Sequence, residues 1–314
     1  MSNRQHGIRQ STFNITAIIG AVGVFLAPGV ASAACPGQYA TASCSAQSSY
    51  EVCESINEIW RCKPDVSSTG QGVSAYLVWD PVNLEYSSYG TADNGTDFCC
   101  TLSNTAGLEE VHLYGSDQSD TLLALSDPAN GMNADAYGAS MVKGRVFGGN
   151  GDDEIHGSDV SSSTYSEHLH GEAGADIILG NGGDDLLIGG TQADYMDGGD
   201  GADDLVGEAG PDVMLGGAGD DVLNGGRGSD SMNGDSGSDH LLGDEGNDFL
   251  CGGGYTGIPD AFDGGDGPDQ ICGQAGGLET GTGGPKSDKC YDVTILVDSC
   301  STTLTYDQCL NNCP

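Results

Sequence analysis

The sequence predicts an all-β solenoid, because one stretch repeats with a strict nine-residue period. Nine consecutive blocks run from Gly171 to Cys251 without insertion or deletion. Every block begins with glycine, and every block carries aspartate in the sixth place. A flexible apolar residue always fills the eighth place: Ile178, Leu187, Met196, Leu205, Met214, Leu223, Met232, Leu241 and Leu250. A period this regular is typical of solenoids.

Each block divides into a glycine-rich half and a short apolar half, which predicts a tight turn followed by a strand of about three residues. Glycine is needed in the turn because it adopts positive φ at little cost. Along a strand, neighbouring side chains alternate between the two faces. We therefore expect the eighth residue to point inward and the seventh and ninth residues to face solvent.

Such a solenoid has a thin core, which predicts that bound ions contribute to its stability. Ordering a backbone costs roughly 1–2 kcal/mol per residue, whereas one buried apolar side chain per block returns about 1.5–3 kcal/mol. Rows of aspartate beside glycine-loop carbonyls favour a hard, oxygen-seeking cation. Calcium accepts six to eight oxygens in flexible geometry, whereas magnesium requires a near-ideal octahedron. We therefore expect several calcium ions.

From Gly148 to Cys272 the blocks resemble the RTX, or hemolysin-type calcium-binding, repeat family, whose pattern is GGxGxDxUx. The resemblance implies a right-handed parallel β-roll with two blocks per turn and calcium between stacked loops on each edge. It also implies that sixth-place carboxylates and loop carbonyls bind the ions, each carboxylate being shared with the loop two blocks away. The implied ligands are Asp153, Asp176, Asp185, Asp194, Asp203, Asp212, Asp221, Asp230, Asp239, Asp248, Asp260 and Asp269. In the block Gly157 to His170, Glu167 stands where the pattern has aspartate.

The eighth-place methionines independently support a turn of eighteen residues. Met196, Met214 and Met232 fall in alternate blocks with leucine between them. One sheet would then carry methionines and the other leucines; the alternative is chance drift among similar apolar residues. His168 and His170 are expected on the outer face of one strand, as metal ligands or, as we favour, as solvated side chains.

Residues 1–33 are predicted to be a cleaved signal peptide. Arg4 and Arg9 precede an apolar run from Ile15 to Val30, and Ala31-Ser32-Ala33 forms a small-residue cleavage site. We favour cleavage over a membrane anchor because the run is short and is interrupted by proline and glycine. The protein is therefore expected to be secreted, with lipoprotein anchoring at Cys35 as the less favoured alternative.

The rest of the chain is predicted to form four segments. Residues 34–107 form a disulfide-rich N-terminal segment with a helix near Tyr50 to Cys62 and strands at Val73 to Trp79 and Phe98 to Leu102. Residues 108–147 form degenerate first solenoid turns. Residues 148–277 form the calcium-binding roll, and residues 278–314 form a cysteine-rich cap over the last rung.

The chain has 12 cysteines, an even number, and in an exported protein this predicts disulfides rather than structural zinc. Cys251 and Cys272 share the ninth place on adjacent rungs, so we expect them to face solvent and to be bonded. Alternatively, the insertion between them shifts the register and each pairs within the tail. We also predict the pairs Cys290 with Cys300 and Cys309 with Cys313. The remaining six are Cys35, Cys44, Cys53, Cys62, Cys99 and Cys100.

The charge excludes a nucleic-acid binder and indicates a need for cations. The formal net charge is −38, and removing Arg4 and Arg9 with the signal leaves 7 basic against 47 acidic residues, or −40. Between Gly148 and Gly277 the only lysine or arginine is Arg227. Self-repulsion should keep this segment unfolded until cations bind.

No HExxH, GxSxG or P-loop motif occurs in the sequence. We therefore predict a non-enzymatic, exported calcium-binding roll with a structural, adhesive or matrix role, and an unidentified surface, matrix or carbohydrate partner. The first alternative is a secreted hydrolase or an enzyme-associated module. The second is a surface-layer or calcium-buffering protein.

Overall fold

The computed structural model of the chain describes residues 52–56, 59–63, 73–80, 85–92, 97–103, 110–115, 119–123, 143–158, 166–253, 259–273, 280–285, 288–291, 295–296, 300–303 and 314. The predicted signal peptide, Cys35, Cys44, Cys309 and Cys313 lie outside these residues. Within the described parts of the chain, no helix has the length and apolar character needed to cross a membrane.

The described residues form two large sheets. The first, 14-stranded sheet contains β1 Val52–Ile56, β2 Ile59–Lys63, β6 Glu110–Tyr114, β8 Lys143–Asn150, β10 His168–Ala173, β12 Leu186–Thr191, β14 Asp204–Ala209, β16 Val222–Asn224, β17 Arg227–Gly228, β19 His240–Leu242, β20 Glu245–Gly246, β22 Ala261–Asp263, β24 Thr280–Thr282 and β26 Ile295–Leu296. The second, 13-stranded sheet contains β3 Val73–Asp80, β4 Glu85–Ala92, β5 Asp97–Ser103, β7 Thr121–Leu123, β9 Glu154–His156, β11 Ile177–Leu179, β13 Tyr195–Asp200, β15 Val213–Ala218, β18 Ser231–Ser236, β21 Phe249–Cys251, β23 Gln270–Cys272, β25 Asp288–Tyr291 and β27 Cys300–Thr303.

From β6 onward the strands alternate between the two sheets along the chain, with the short β17 and β20 added to the first sheet, and they pair in parallel, as the predicted β-roll requires. In the first sheet β12 pairs with β14 and Leu187 lies opposite Leu205. In the second sheet β13 pairs with β15 and Met196 lies opposite Met214. Both partners are eighteen residues apart, so two blocks make one turn and an all-β parallel solenoid is confirmed.

The eighth-place side chains form the core, as predicted. From Leu113 to Leu250 they are at most 1% exposed, and Phe262 and Ile271 continue the same rows. Met196, Met214 and Met232 are neighbours on adjacent strands of the second sheet. The facing positions in the first sheet are leucines. The alternation of methionine and leucine therefore reflects the eighteen-residue turn.

Several strands are longer than the predicted three residues. Strand β15 runs through Val213, Met214 and Leu215 and continues over the first three residues of the next block. The second residue of that block, Gly217, bends the strand with a φ of 106°. In other blocks the second place is occupied by a non-glycine residue that also has positive φ, for example Glu172 and Glu208. Part of the glycine-rich half is therefore strand, because pairing between adjacent rungs continues as far as the turn.

Strand pairing continues on both sides of the regular repeats. Beyond Gly273, where the sequence period ends, strands β24, β25, β26 and β27 pair in parallel with preceding strands of their sheets.

At the N-terminal end of the described residues, the prediction of a helix near Tyr50 to Cys62 was wrong. Strands β1 and β2 form an antiparallel pair there, and β2 joins β6 in the roll. The predicted strands near Val73 and Phe98 correspond to β3 and β5.

Cys251 and Cys272 lie opposite each other on β21 and β23, as the register predicted. Their exposed fractions are only 0% and 3%, so the expectation that they face solvent was wrong. The ninth-place Asn233 on the neighbouring strand is also buried, which shows that the outer face of this sheet is covered at this end. Cys251, Cys272 and Cys290 are disulfide-bonded. Which cysteines pair with one another stays a prediction.

The two histidines of β10 are not fully solvated. His168 and His170 are half-buried, and the imidazole of His170 stacks on the ring of Phe147 with a centroid distance of 4.8 Å. This packing occurs because His170 and Phe147 share one register column on β10 and β8.

Fourth-place glycines let successive turns stack, and Gly219 tests this requirement. Its φ is 144°, and a Cβ added there would overlap the carbonyl oxygen of Gly201 in the preceding rung. We expect Gly219→Ala to lower the free energy of unfolding by at least about 2 kcal/mol. Thermal unfolding followed by circular dichroism, with calcium in excess, measures the effect. The control is Ala218→Ser at the exposed neighbouring position; equal melting temperatures for the two variants would contradict the requirement.

Candidate metal centre

The sixth-place carboxylates lie inside the turns, not on the surface. Asp221, which follows β15 and precedes β16, is only 1% exposed. First-place glycine makes room for its side chain. A Cβ at Gly216 would lie 2.5 Å from Asp221 Oδ2 and 2.8 Å from the carbonyl oxygen of Gly234 in the next rung. Glycine at this place leaves a space that is lined by a carboxylate oxygen and a carbonyl oxygen.

One carboxylate oxygen of each such aspartate joins adjacent turns. The backbone N–H of Asp203 donates to Asp221 Oδ1 at 2.8 Å, and the N–H of Asp221 donates to Asp239 Oδ1 at 3.0 Å. Repetition of this bond along each edge of the roll produces two rows, which we call the first and second ladders. The first ladder contains Asp120, Asp153, Asp176, Asp194, Asp212, Asp230, Asp248, Asp269 and Asp288. The second ladder contains Glu167, Asp185, Asp203, Asp221, Asp239 and Asp260.

The other carboxylate oxygen is buried without a hydrogen-bond donor. This holds among the described residues for Oδ2 of Asp153, Asp176, Asp185, Asp194, Asp203, Asp212, Asp221, Asp230, Asp239 and Asp248. A buried carboxylate oxygen that lacks a partner carries a large desolvation cost. Removing that cost requires either a proton or a cation beside each Oδ2.

Protein cations do not meet this need in the repeats. Arg227 is the only lysine or arginine between Gly148 and Gly277. Its Nε lies 3.4 Å from Glu245 Oε2, and both side chains are largely exposed. A pair of this kind contributes little and lies outside the turns. The carboxylates of the two ladders therefore depend on ions or protons from solution.

The donor set fits calcium. Carboxylate Oδ2 and the first-place carbonyl oxygen of the next rung are both hard oxygen donors. Within the described part of the chain, no three histidine, cysteine, aspartate or glutamate side chains converge on one point. A complete coordination shell would therefore combine carboxylate oxygens with backbone carbonyls, as the flexible geometry of calcium permits.

Burial also raises the pKa values of the ten ladder aspartates from Asp153 to Asp248 when no ion is bound. The pKa of Asp221 rises from 3.8 to about 7, mainly because burial disfavours the charged form. The hydrogen bond from the Asp203 N–H opposes this shift, while nearby Asp203, Asp220 and Asp235 reinforce it. Asp153, near the start of the first ladder, has its pKa raised to about 8 for the same main reason.

All twelve aspartates predicted as ligands lie in the two ladders. The loop two blocks away donates a backbone N–H to the carboxylate, as from Asp203 to Asp221. The role of the twelve aspartates as calcium ligands, and the sharing of each with that loop, stay predictions. Asp120, in the sixth place of a degenerate block from Gly115 to Leu123, was left out of the predicted ligands, and Asp288 was missed. Asp288 is the sixth residue counted from Gly283. The block was not recognised because the residue in its fourth place departs from the repeat. Glu167 also occupies a ladder position, and its Oε2 accepts a hydrogen bond from the Ser158 N–H.

Asp221→Asn separates the charge of a ladder carboxylate from its hydrogen bond. The amide oxygen can still accept the Asp203 N–H, whereas the negative charge beside Gly216 is lost. We expect the calcium affinity of the adjoining turns to fall about tenfold, as measured by isothermal titration calorimetry.

The matched control is Asp220→Asn. Asp220 is exposed, and its Oδ1 accepts a hydrogen bond from the Ser238 N–H, which an amide oxygen can also do. We expect this variant to bind calcium like the unmodified chain. Identical affinities for the two variants would contradict a ligand role for Asp221.

The raised pKa values predict that acid stabilises the ion-free roll. Unfolded aspartates titrate near 4, whereas folded Asp185, Asp194 and Asp221 titrate at about 7. As the pH falls through about 7, the folded state takes up protons that the unfolded state does not, so folding becomes more favourable until about pH 4. Circular dichroism in chelator should show β signal increasing from about pH 8 to pH 5. A constant signal over this range would contradict the prediction.

Comparison with known proteins supports the same ion. The model of the RTX calcium-binding nonapeptide repeat matches four segments, at residues 145–159, 162–196, 197–232 and 225–254. A search of curated proteins found no match. The matched segments contain the central turns of both ladders, where buried carboxylate oxygens face glycine-lined spaces. The family model thus detects four RTX calcium-binding nonapeptide repeats within residues 145–254, and the described residues of this region fold as a parallel β-roll.

Proposed function

We propose that this protein is an exported calcium-binding module that folds when it meets extracellular calcium and then serves a structural, adhesive or matrix role. The observation that carries the proposal is the pair of ladders with buried, donorless carboxylate oxygens. Those oxygens oppose folding at neutral pH unless cations accompany them. Calcium binding and folding are then a single event.

The small core supports this coupling. One apolar side chain per block is buried between the two sheets. The ladder aspartate two residues before it is also buried, but it is polar. Hydrophobic burial alone is therefore small relative to the backbone entropy lost per block. A module that depends on ions in this way stays unfolded where calcium is scarce. Extracellular calcium modules typically bind with dissociation constants near 10⁻⁴–10⁻³ M, so folding would follow export.

Export is supported by the signal-like residues 1–33 and by the cysteine content. The disulfide-bonded Cys251, Cys272 and Cys290 fit an oxidising compartment. Disulfides of the flanking segments would hold the ends of the roll in the absence of the ion. We assign the chain no catalytic step, and its partner would be a surface, matrix or carbohydrate component outside the cell.

A metal titration followed by circular dichroism tests the proposal. The full chain, stripped with chelator at pH 7.5, should have little β signal and gain it cooperatively as calcium rises to about 10 mM. Magnesium over the same range should not reproduce the transition, because it keeps its waters and its octahedral geometry. A stripped chain with the same sheet signal as the calcium-loaded chain would exclude ion-coupled folding.

A further inference from the structure

Three methionines form a continuous column in the core of the roll. Met196 lies opposite Met214, and Met214 lies opposite Met232, on β13, β15 and β18. Adjacent rungs are about 4.8 Å apart, so the three thioethers stack on three consecutive rungs. Ile178 and Leu250 border the column at its two ends. We call Met196, Met214 and Met232 the methionine column.

The column is inaccessible in the folded protein. Each of its three side chains has an exposed fraction of 0%. The leucines of the first sheet belong to the same buried cluster. Two residues before each methionine lies a buried aspartate of the first ladder: Asp194, Asp212 and Asp230. An oxidant in solution therefore cannot reach the sulfur atoms while the roll is intact.

Loss of calcium removes that protection, if folding is coupled to the ion as proposed above. In the unfolded chain every thioether is in water, and methionine sulfur is readily oxidised there. Leucine, which fills the equivalent places in the first sheet, has no such chemistry. The two sheets thus differ in sensitivity to oxidation although their cores have similar shape.

We propose that the methionine column is an oxidation site that opens when calcium is lost and that, once oxidised, prevents the roll from re-forming. The oxidant is a two-electron peroxide. A sulfur lone pair attacks one peroxide oxygen, the O–O bond breaks, the sulfur becomes a sulfoxide and the peroxide is reduced to water. The inference rests on ion-coupled folding and adds a second input, the oxidant, to the same module.

Sulfoxides oppose refolding because the column offers them no donors. The inward positions on either side are apolar side chains or the ladder carboxylates, which accept hydrogen bonds and do not donate them. A buried polar group without a partner is destabilising. Three such groups on adjacent rungs would act on the same turns. We expect the calcium concentration at the folding midpoint to rise by at least about tenfold.

The experiment treats the full chain with hydrogen peroxide in chelator or in excess calcium, removes the peroxide, and then titrates calcium while recording circular dichroism. Peptide mass spectrometry counts the added oxygens at each methionine. Two variants separate the column from the other methionines. Met196→Leu/Met214→Leu/Met232→Leu removes the column, and Met132→Leu/Met141→Leu leaves it in place.

After peroxide in chelator, the unmodified chain and the Met132→Leu/Met141→Leu variant should fail to fold at calcium concentrations that fold untreated protein. The column variant should fold normally after the same treatment. After peroxide in calcium, every protein should fold and the column should carry no added oxygen. Enzymatic reduction of the sulfoxides should restore the calcium response.

Two results would overturn the inference. One is a fully oxidised column that folds at the usual calcium concentration; the other is a column oxidised equally fast with and without calcium. Failure of the proposed function has a separate signature, since untreated chain in chelator would already show the full β signal. In that case the column would also stay reduced in chelator, and the oxidation site would be excluded as well.

Discussion

The structure depends on burying one carboxylate per nine residues inside a turn. In an ordinary globular core such a group is paired with a base or with several hydrogen-bond donors. Here Asp203 and Asp221 each receive one backbone N–H on Oδ1 and leave Oδ2 without a donor. The fold is therefore incomplete as a purely protein structure. Under the proposed function, cations from solution supply the missing partners of these carboxylates.

This constraint also accounts for the composition of the repeat. First-place glycine leaves the space that Asp221 Oδ2 and a carbonyl oxygen line, and a methyl group at Gly216 would fill it. Fourth-place glycine lets one turn approach the next closely enough for the N–H to reach the neighbouring carboxylate. The eighth-place residue then anchors the strand in the core. Glycine, aspartate and one apolar residue are thus parts of one arrangement, which explains why they vary so little along the central blocks.

The sequence was sufficient to predict the roll wherever the period is regular. The inward eighth residue follows from counting places. The eighteen-residue turn was implied by the resemblance to RTX repeats and supported by the spacing of the methionines, and the register of Met196 with Met214 confirms it. Prediction was less successful where pairing with a neighbouring strand decides the structure. Strand β2 has a local pattern that also suits a helix, yet it pairs with β6. Burial of Cys251 could not be predicted, because it depends on what covers the sheet and not on the place in the block.

The hydrogen bonds of each ladder have a direction along the chain. In every case the N–H belongs to the earlier rung and the carboxylate to the later one, as in the bond from Asp203 to Asp221. A turn consequently lacks its acceptor until the following eighteen residues have taken their place. A polypeptide that leaves the cell with its amino end first would pass through the membrane as a sequence of unfinished turns. Under the proposed export, each turn of a ladder would become complete only after the turn that follows it had emerged and folded.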